Sequence, residues 1–291
     1  MGSRFALGTA QLGMDYGINN HRGRIPDQEA QEILQYARLH EIDTLDSAHG
    51  YGDSEKVIGE FVKSHGVSFK IVSKLGAGKD LDIEKILDES LQRLSVDYLD
   101  GYLIHDFKFF MANPAIWDAL CHLKSKGKVK KIGFSLYYPR EVQELRQKGI
   151  QMDLVQVPFS IFDQRFLSVF PLLKEKQTEI HVRSVFLQGL LFKKANELKG
   201  QFLGVKEKLL SLSALAHETG VPLAGLCINF ALLNQHIDKI VLGVDGLDNL
   251  KENLEMVCYQ QQVNGIYSRL SALAETNEDI ILPFNWKKEE I

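Results

Sequence analysis

Short apolar runs alternate with longer stretches of helical spacing along the whole chain. The short runs are rich in Val, Ile and Leu, which is typical of strands buried on both faces. Gly or polar residues bound most of them, as expected where a strand ends. We predict eight strands, at residues 4–8, 42–45, 69–72, 98–104, 129–134, 154–157, 180–186 and 240–243.

Between the strands, apolar residues recur every three or four positions, which predicts amphipathic helices. Asp27 is expected to cap the first of them and Asp82 the third. Asp53 or Ser54 is expected to cap the second. Gly220 should end a long helix over 205–219, because glycine readily adopts the left-handed conformation found at many helix ends. Further helices are predicted over 113–127, 141–147, 164–176, 222–233, 250–257 and 264–275.

Eight alternations of strand and helix, with no linker or repeat between them, indicate parallel strands covered by helices. The pattern favours a closed (β/α)8 TIM barrel that occupies residues 1–291 as one domain with a short C-terminal tail. An open doubly wound sheet is the alternative. Against it, Gly8 and Gly13 have neither the spacing nor the following helix of a Gly-x-Gly-x-x-Gly motif.

The composition narrows the possible partners. The 291 residues carry a formal net charge of -4, without the basic excess that nucleic-acid or membrane-surface binding requires. Three scattered cysteines lack metal-ligand spacing and indicate reduced thiols in a cytoplasmic protein without a bound metal. We find neither a signal-peptide pattern nor an apolar run of the ~20 residues that span a membrane. A monomer or small homo-oligomer is expected.

Four reactive side chains follow three consecutive predicted strands. Asp46 and Tyr51 come after the second strand, Lys74 after the third and His105 after the fourth. The carboxyl ends of barrel strands meet at one mouth, so the four are expected to converge. Taken singly, they are more often a capping acid, a loop tyrosine, a solvated lysine and a structural histidine. Their occurrence together at one edge favours a functional site.

This set of groups suits reduction of a carbonyl. A carbonyl that accepts hydride develops alkoxide charge and needs a proton. We assign Tyr51 as the proton donor and expect the ammonium of Lys74 to lower its pKa. Asp46 would hold Lys74, and His105 would orient the carbonyl oxygen. No side chain supplies hydride, so a nicotinamide cofactor is required.

The chain resembles the aldo-keto reductases, which are (β/α)8-barrel, NAD(P)H-dependent oxidoreductases. The resemblance spans nearly the whole chain. It is most specific in Asp-Ser-Ala-His-Gly-Tyr at 46–51, Ser-Lys-Leu at 73–75 and Tyr-Leu-Ile-His at 102–105. These segments match the family's catalytic tetrad in residue type, spacing and order, which implies catalytic roles for Asp46, Tyr51, Lys74 and His105.

The resemblance also implies positions that hold the cofactor. Gly8, Thr9 and Ala10 correspond to the family's backbone contact near the nicotinamide. Ser135 and Gln156 correspond to its partners for the carboxamide, although Leu136 replaces a common asparagine. The segment expected to wrap the pyrophosphate contains Ser184, Leu187, Gln188 and Gly189. The adenosine site is expected at Gly243, Val244, Asp245, Asn249, Glu252 and Asn253.

Two positions depart from the family pattern. Arg183 stands where many relatives have an aromatic residue that stacks on the nicotinamide. A planar guanidinium can also stack, but it adds positive potential. Asp245 stands where many NADP-using relatives have arginine, and an acid there would repel a 2′-phosphate. The family implies NADP(H) and Asp245 favours NAD(H), so we expect either coenzyme to bind, with a weaker NADP preference than usual.

The substrate pocket is expected among the loops that follow the strands. Its candidate residues mix aromatic rings with polar groups: Tyr16, Asn19, His49, Phe109, Phe110 and Tyr137. Such a lining suits a sugar or hydroxy-aldehyde as well as an aryl aldehyde. The short C-terminal tail is expected to cover this site little, which would give broad specificity.

The leading hypothesis is an NAD(P)H-dependent reductase that converts an aldehyde or ketone to the alcohol. The first alternative is a non-catalytic, nicotinamide-nucleotide-binding regulatory barrel, against which the intact tetrad argues. A second is a barrel lyase or isomerase in which Lys74 forms a Schiff base. Asp46 argues against this one, because a nearby carboxylate favours the charged amine.

Overall fold

Eight parallel strands form a closed barrel in the computed structural model, which describes residues 3–17, 20, 22–78 and 82–287. Each strand pairs with the next, and the eighth closes onto the first. The predicted (β/α)8 TIM barrel is therefore confirmed. The strands are β1 (Phe5–Gly8), β2 (Thr44–Asp46), β3 (Lys70–Leu75), β4 (Leu99–Ile104), β5 (Val129–Ser135), β6 (Leu154–Pro158), β7 (Glu179–Arg183) and β8 (Lys239–Leu242).

Fourteen α-helices lie in the described part of the chain, and most follow the predicted strand–helix order. Three short helices, at Ala10–Gly13, Phe107–Ala112 and Glu278–Ile281, were not predicted, and two, at Gln260–Gly265 and Tyr267–Ser271, take the place of the single one expected over 264–275. The helices are α1 (Ala10–Gly13), α2 (Asp27–Leu39), α3 (Ser54–His65), α4 (Ile83–Leu94), α5 (Phe107–Ala112), α6 (Ile116–Ser125), α7 (Pro139–Gln147), α8 (Phe170–Glu175), α9 (Lys206–Thr219), α10 (Leu223–Leu232), α11 (Leu247–Glu255), α12 (Gln260–Gly265), α13 (Tyr267–Ser271) and α14 (Glu278–Ile281). None of the described helices is long and apolar enough to cross a membrane.

The predicted helix ends are partly correct. Asp82 caps α4 by accepting a hydrogen bond from the Lys85 backbone N–H, and Gly220 ends α9 with φ 66°. The prediction for Asp27 is wrong, because this residue is the first of α2 and its carboxylate binds Arg24. Asp53 occupies the cap position of α3, but its side chain makes no capping hydrogen bond.

Two apolar layers position the site. The larger layer lies between the barrel and its helices, whereas Val72, Leu103 and Leu154 form a separate buried cluster. Gly101 leaves room for this cluster, since a Cβ there would lie 2.8 Å from Leu154 Cδ2. Residues two apart on a strand face the same side. The next inward positions toward the carboxyl ends are therefore Lys74, His105 and Gln156, just above the apolar cluster.

Candidate active site

A buried ion pair forms the floor of the site. Lys74 Nζ donates to Asp46 Oδ2 at 2.7 Å and to the Ser47 carbonyl at 2.8 Å. The side chains of Lys74 and Asp46 are 0% and 5% exposed. Gln156 Nε2 donates to the other carboxylate oxygen at 2.6 Å. Charges inside a protein require such partners, so the pair fixes the ends of β2, β3 and β6 relative to each other.

Tyr51 lies on the loop that leads from β2 to α3, and two glycines seat this loop against α1. A Cβ at Gly13 would stand 1.9 Å from the Tyr51 carbonyl oxygen. A Cβ at Gly52, whose φ is 53°, would stand 2.3 Å from the Gly13 carbonyl oxygen. Neither position accepts a side chain without moving the backbone. The close contact of the two segments therefore depends on both glycines.

The structure brings the four predicted residues together at the carboxyl ends of the strands. Lys74 Nζ lies 5.0 Å from the centre of the Tyr51 ring. The rings of Tyr51 and His105 meet edge-on, with 6.0 Å between their centres and 80° between their planes. With Asp46 bound to Lys74, an acid, an ammonium, a phenol and an imidazole share one small volume.

The expected acidification of Tyr51 is wrong for the structure without ligands. Burial, followed by the negative charge of Asp46, raises the pKa of the Tyr51 phenol above its ordinary value. The expectation rested on the ammonium of Lys74, without the effect that the Asp46 carboxylate and the loss of solvent have on the phenol. The phenol therefore stays protonated throughout the physiological pH range.

His105 is neutral at physiological pH. Burial, together with the positive charges of Lys74 and Arg183, lowers the pKa of its imidazole to about 4. A neutral imidazole has one N–H donor and one acceptor nitrogen. His105 therefore suits a hydrogen bond to a polar substrate oxygen without adding charge of its own.

A cavity of about 540 Å³ runs from Asp46 and Tyr51 to the side of α11. Most of the residues predicted to bind the cofactor line it. They are Gly8, Thr9, Ala10, Arg183, Ser184, Gly189, Gly243, Asp245, Asn249, Glu252 and Asn253. A cavity that extends from the tetrad to α11 suits a dinucleotide better than a small substrate alone.

Two buried polar atoms support a carboxamide site beside the Asp46–Lys74 pair. Ser135 and Gln156 are paired across β5 and β6, and both are almost fully buried. Within the described residues, Ser135 Oγ and Gln156 Oε1 lack a hydrogen-bond partner. Buried polar atoms nearly always have one. A hydroxyl and a carbonyl oxygen side by side match the oxygen and the N–H2 of an amide, so these residues fit a nicotinamide.

The loop after β7 has an unusual backbone. The strand was predicted to continue to residue 186, but it ends at Arg183 because Ser184 has φ 62°. Leu187, Gln188 and Gly189 follow with φ of 47°, 50° and 98°. Such conformations cost roughly 1–3 kcal/mol in non-glycine residues and concentrate at ligand sites. The strained segment coincides with the predicted pyrophosphate contact.

Four of the predicted cofactor residues do not line the cavity, namely Ser135, Gln156, Leu187 and Val244. Leu187 and Val244 are 0% and 2% exposed and belong to the hydrophobic core. Residues that sequence reasoning missed also line the cavity, namely Gln11, Phe186, Phe192, Pro222, Ala224 and Met256. Gln11 directly follows Gly8-Thr9-Ala10, so its position next to this predicted cofactor segment could have identified it as a cavity residue.

The adenosine end is held by the loop after β1. Gln11 Nε2 lies 3.5 Å from Asp245 Oδ1, and Arg22 donates to the Asp245 carbonyl oxygen at 3.1 Å. The Arg22 guanidinium also binds both carboxylate oxygens of Glu29. Two acidic residues, Asp245 and Glu252, line this end of the cavity.

Arg183 stacks on a residue of the protein. Its guanidinium carbon lies 4.2 Å from the centre of the Tyr137 ring, and Nη2 lies 3.4 Å from the Leu136 carbonyl oxygen. The expectation that Arg183 stacks on the nicotinamide stays a prediction, with the guanidinium already over the Tyr137 ring. The sequence did not predict the contact with Tyr137, because the two residues are far apart in the chain.

The predicted substrate residues divide into three groups. Tyr16 lines the cavity, and its hydroxyl accepts from Gln188 Nε2 at 3.0 Å. Tyr137 packs edge-on against Phe284, with 4.9 Å between ring centres. The C-terminal tail therefore reaches one of the candidate substrate residues, contrary to expectation. Phe110 is buried against Phe134, Phe109 is half-buried against the core, and Asn19 lies outside the described residues.

His49 is held by an arginine instead of facing the cavity. Arg93 Nη2 lies 2.6 Å from His49 Nδ1, and Arg93 Nε donates to Glu55 at 2.9 Å. Glu55 is 1% exposed and also accepts from the Ser73 hydroxyl at 2.7 Å. This network ties the Tyr51 loop to the strand residue that precedes Lys74. We therefore revise His49 from a substrate contact to part of the loop's support.

The comparisons with known proteins agree with this geometry. The sequence profile of the Aldo/keto reductase family matches residues 4–268. The chain is 24% identical over 275 residues to an L-galactose dehydrogenase from Arabidopsis thaliana, covering 88% of this chain and 84% of that protein. It is 30% identical over 216 residues to an NADH-specific methylglyoxal reductase from Escherichia coli strain K12, covering 65% of each. The holo form of an aldo-keto reductase from Bacillus halodurans superposes with a TM-score of 0.74 at 21% identity, covering 95% of this chain and 94% of that one.

Proposed function

Since this chain belongs to the aldo/keto reductase family, we propose that it uses NAD(P)H to reduce an aldehyde or ketone to the alcohol. The observation that carries the proposal is the position of Tyr51 at the head of the long cavity, beside the Asp46–Lys74 pair and His105. These groups suit the protonation of an oxygen that gains negative charge.

Tyr51 is the proton donor in this proposal. Ser135 and Gln156 would hold the carboxamide of a nicotinamide, which would supply the hydride. The Tyr51 hydroxyl gives its proton to the carbonyl oxygen as that oxygen becomes an alkoxide. Its raised pKa does not prevent this step, because an alkoxide is a stronger base than a phenolate. The raised pKa keeps the proton on Tyr51 until it is needed.

Lys74 and His105 support that proton transfer in different ways. The ammonium of Lys74, 5.0 Å from the ring centre, stabilises the phenolate left after the transfer. Asp46 holds the ammonium in position at 2.7 Å. The neutral imidazole of His105 hydrogen-bonds the carbonyl oxygen and fixes its direction toward Tyr51. An oriented donor in a site with little water gives much of the rate enhancement in such reactions.

The substrate is proposed to be a small polar carbonyl compound, such as a hydroxy-aldehyde or a sugar. Tyr16 and Arg183 provide polar groups at the tetrad end of the cavity. The names of two relatives, an L-galactose dehydrogenase and a methylglyoxal reductase, support this class. For the coenzyme we propose that both NADH and NADPH bind. The carboxylate of Asp245 lines the adenosine end of the cavity and would weaken the usual preference for NADPH by repelling its 2′-phosphate.

The structure favours this proposal over a Schiff-base mechanism. Lys74 has no exposed surface and is bound to a carboxylate, so its nitrogen has no open path to a carbonyl carbon. Treatment with borohydride and a carbonyl substrate should therefore leave no reduced adduct on Lys74 in a peptide map.

Turnover tests the proposal directly. Purified protein with DL-glyceraldehyde or 4-nitrobenzaldehyde should consume NADH or NADPH, measured as a loss of nicotinamide absorbance. Tight binding of either coenzyme without turnover of any carbonyl in a broad panel would favour the regulatory barrel instead.

A further inference from the structure

Arg183 extends into the mouth of the barrel. It is the last residue of β7, two positions after His181, which pairs with Gln156 on β6. Residues in register and residues two apart face the same side of a sheet. Because Gln156 points inward to Asp46, Arg183 also points inward. Its contact with Leu136 shows that it reaches over β6 to the end of β5.

The guanidinium has unused hydrogen-bonding capacity. Within the described residues, Arg183 forms no ion pair, and its single hydrogen bond, to the Leu136 carbonyl oxygen, is long at 3.4 Å. A guanidinium has five N–H donors, and stacking on Tyr137 leaves the donors at its rim unused. The site therefore presents a cation with several available N–H donors to a ligand in the cavity.

The charge is directed at the tetrad end. Arg183 is the only cationic residue among the described residues that line the cavity. It is one of the causes of the low pKa of His105, after burial and Lys74, and it opposes the raised pKa of Tyr51. Asp46 already pairs with Lys74, so the cation has no compensating charge at this end.

Building on the proposed reductase function, we propose that Arg183 binds a carboxylate carried by the substrate. The preferred substrate is then an oxo acid, in which a carboxylate lies a few bonds from the carbonyl that Tyr51 and His105 address. A carboxylate matches the guanidinium fork in shape and charge and can accept two of its hydrogen bonds. Tyr137 fixes the direction of the fork by stacking beneath it.

A different use of the cation would be to bind the phosphates of the cofactor. The predicted pyrophosphate segment, 184–189, follows Arg183 in the chain, whereas the Arg183 side chain reaches over β6 to the end of β5. Substrate binding and cofactor binding are separable by measurement. Only the second use predicts that removal of the Arg183 charge weakens NADH or NADPH binding.

Matched pairs of substrates test the inference. Succinic semialdehyde should have a kcat/KM about ten- to a hundredfold above that of butanal, since hydrogen bonds to charged groups contribute roughly 1.5–3 kcal/mol. D-glucuronate should likewise be preferred over D-glucose. Arg183→Gln should abolish both preferences while changing the coenzyme dissociation constants less than twofold, and Arg183→Lys should restore part of them.

Arg140 provides a matched control. Its guanidinium lies 4.2 Å from the centre of the Tyr138 ring, the same distance as in the Arg183–Tyr137 pair, but it is on the surface. Arg140→Gln removes the same charge and should leave the substrate preferences unchanged. Equal losses in the two variants would show a general effect of charge and overturn the inference.

Calorimetry separates this inference from the proposed function. With saturating coenzyme, wild-type protein should bind 4-hydroxybutyrate at least tenfold more tightly than 1-butanol, and Arg183→Gln should not. Reduction of butanal without any preference for the acid would overturn the inference alone. Absence of carbonyl turnover would refute the proposed reductase function. The calorimetric comparison would then still show whether Arg183 binds a carboxylate. A preference confined to glyceraldehyde 3-phosphate over glyceraldehyde would overturn the carboxylate assignment.

Discussion

Lys74 donates a 2.7 Å hydrogen bond to the carboxylate of Asp46, and water reaches neither charged group to more than 5% of its side-chain surface. Removal of one partner leaves the other charge buried and unpaired, which typically costs about 3–5 kcal/mol. We predict that Lys74→Met lowers the free energy of unfolding in urea by about this amount. The double variant Lys74→Met, Asp46→Asn should lose less than the sum of the single losses.

The control for this prediction is an ion pair on the surface. Arg269 binds both oxygens of Glu218, and the two side chains are 51% and 56% exposed. Exposed pairs usually contribute about 0–1 kcal/mol. Arg269→Met should therefore change the unfolding free energy little. Additive losses in the Lys74 and Asp46 variants would contradict a coupled buried pair.

The second prediction concerns His105. Its pKa is lowered to about 4 by burial and the charges of Lys74 and Arg183, whereas an unfolded histidine has a pKa near 6.5. Between these values the unfolded chain binds a proton that the folded chain does not, so stability falls as pH decreases through this window. His105→Gln should reduce that pH dependence. Imidazole resonances assigned with the same variant should show no titration of His105 between pH 5.5 and 8, and a midpoint near 6.5 would contradict the account.

The third prediction concerns the support of the Tyr51 loop. Arg93 joins His49 to Glu55, so Arg93→Met should loosen residues 48–52. Misplacement of a catalytic group by about 1 Å can lower rates about a hundredfold. We expect kcat to fall about ten- to a hundredfold, with faster amide hydrogen exchange in 48–52. Arg146→Met, on the exposed side of α7, should change neither measurement.

The fourth prediction concerns the choice of coenzyme. The carboxylate of Asp245 lines the adenosine end of the cavity and would repel a 2′-phosphate. Asp245→Ser should therefore tighten NADPH binding about tenfold and change NADH binding little, as measured by fluorescence quenching. Asp248→Ser removes an acid three residues away that is 90% exposed, and it should affect neither coenzyme. A hundredfold preference of the wild type for NADPH would refute this role of Asp245.

The sequence predicted the barrel because the fold depends on local periodicity, and all eight strands occur in the predicted order. Asp46, Tyr51, Lys74 and His105 were predictable because strand ends in a barrel share one mouth. The predictions that did not hold concern side chains whose contacts lie on distant segments of the chain. Arg183 meets Tyr137, and His49 meets Arg93, across more than 40 residues of chain in each case. The predicted direction of the Tyr51 pKa shift was also wrong, since burial and the charge of Asp46 raise this pKa only once the chain is folded.

The central claim is that the Tyr51 hydroxyl supplies the proton to the reduced carbonyl, and single-turnover kinetics of Tyr51→Phe test it most directly. General acid catalysis typically contributes 10²–10⁴-fold, so the rate of coenzyme oxidation should fall by about that factor while the coenzyme dissociation constant stays unchanged. Tyr98→Phe is the matched control, because Tyr98 also has a lysine ammonium near its ring, Lys130 Nζ at 3.9 Å, but on the surface. That variant should react at the wild-type rate. Retention of the full rate by Tyr51→Phe would contradict the account.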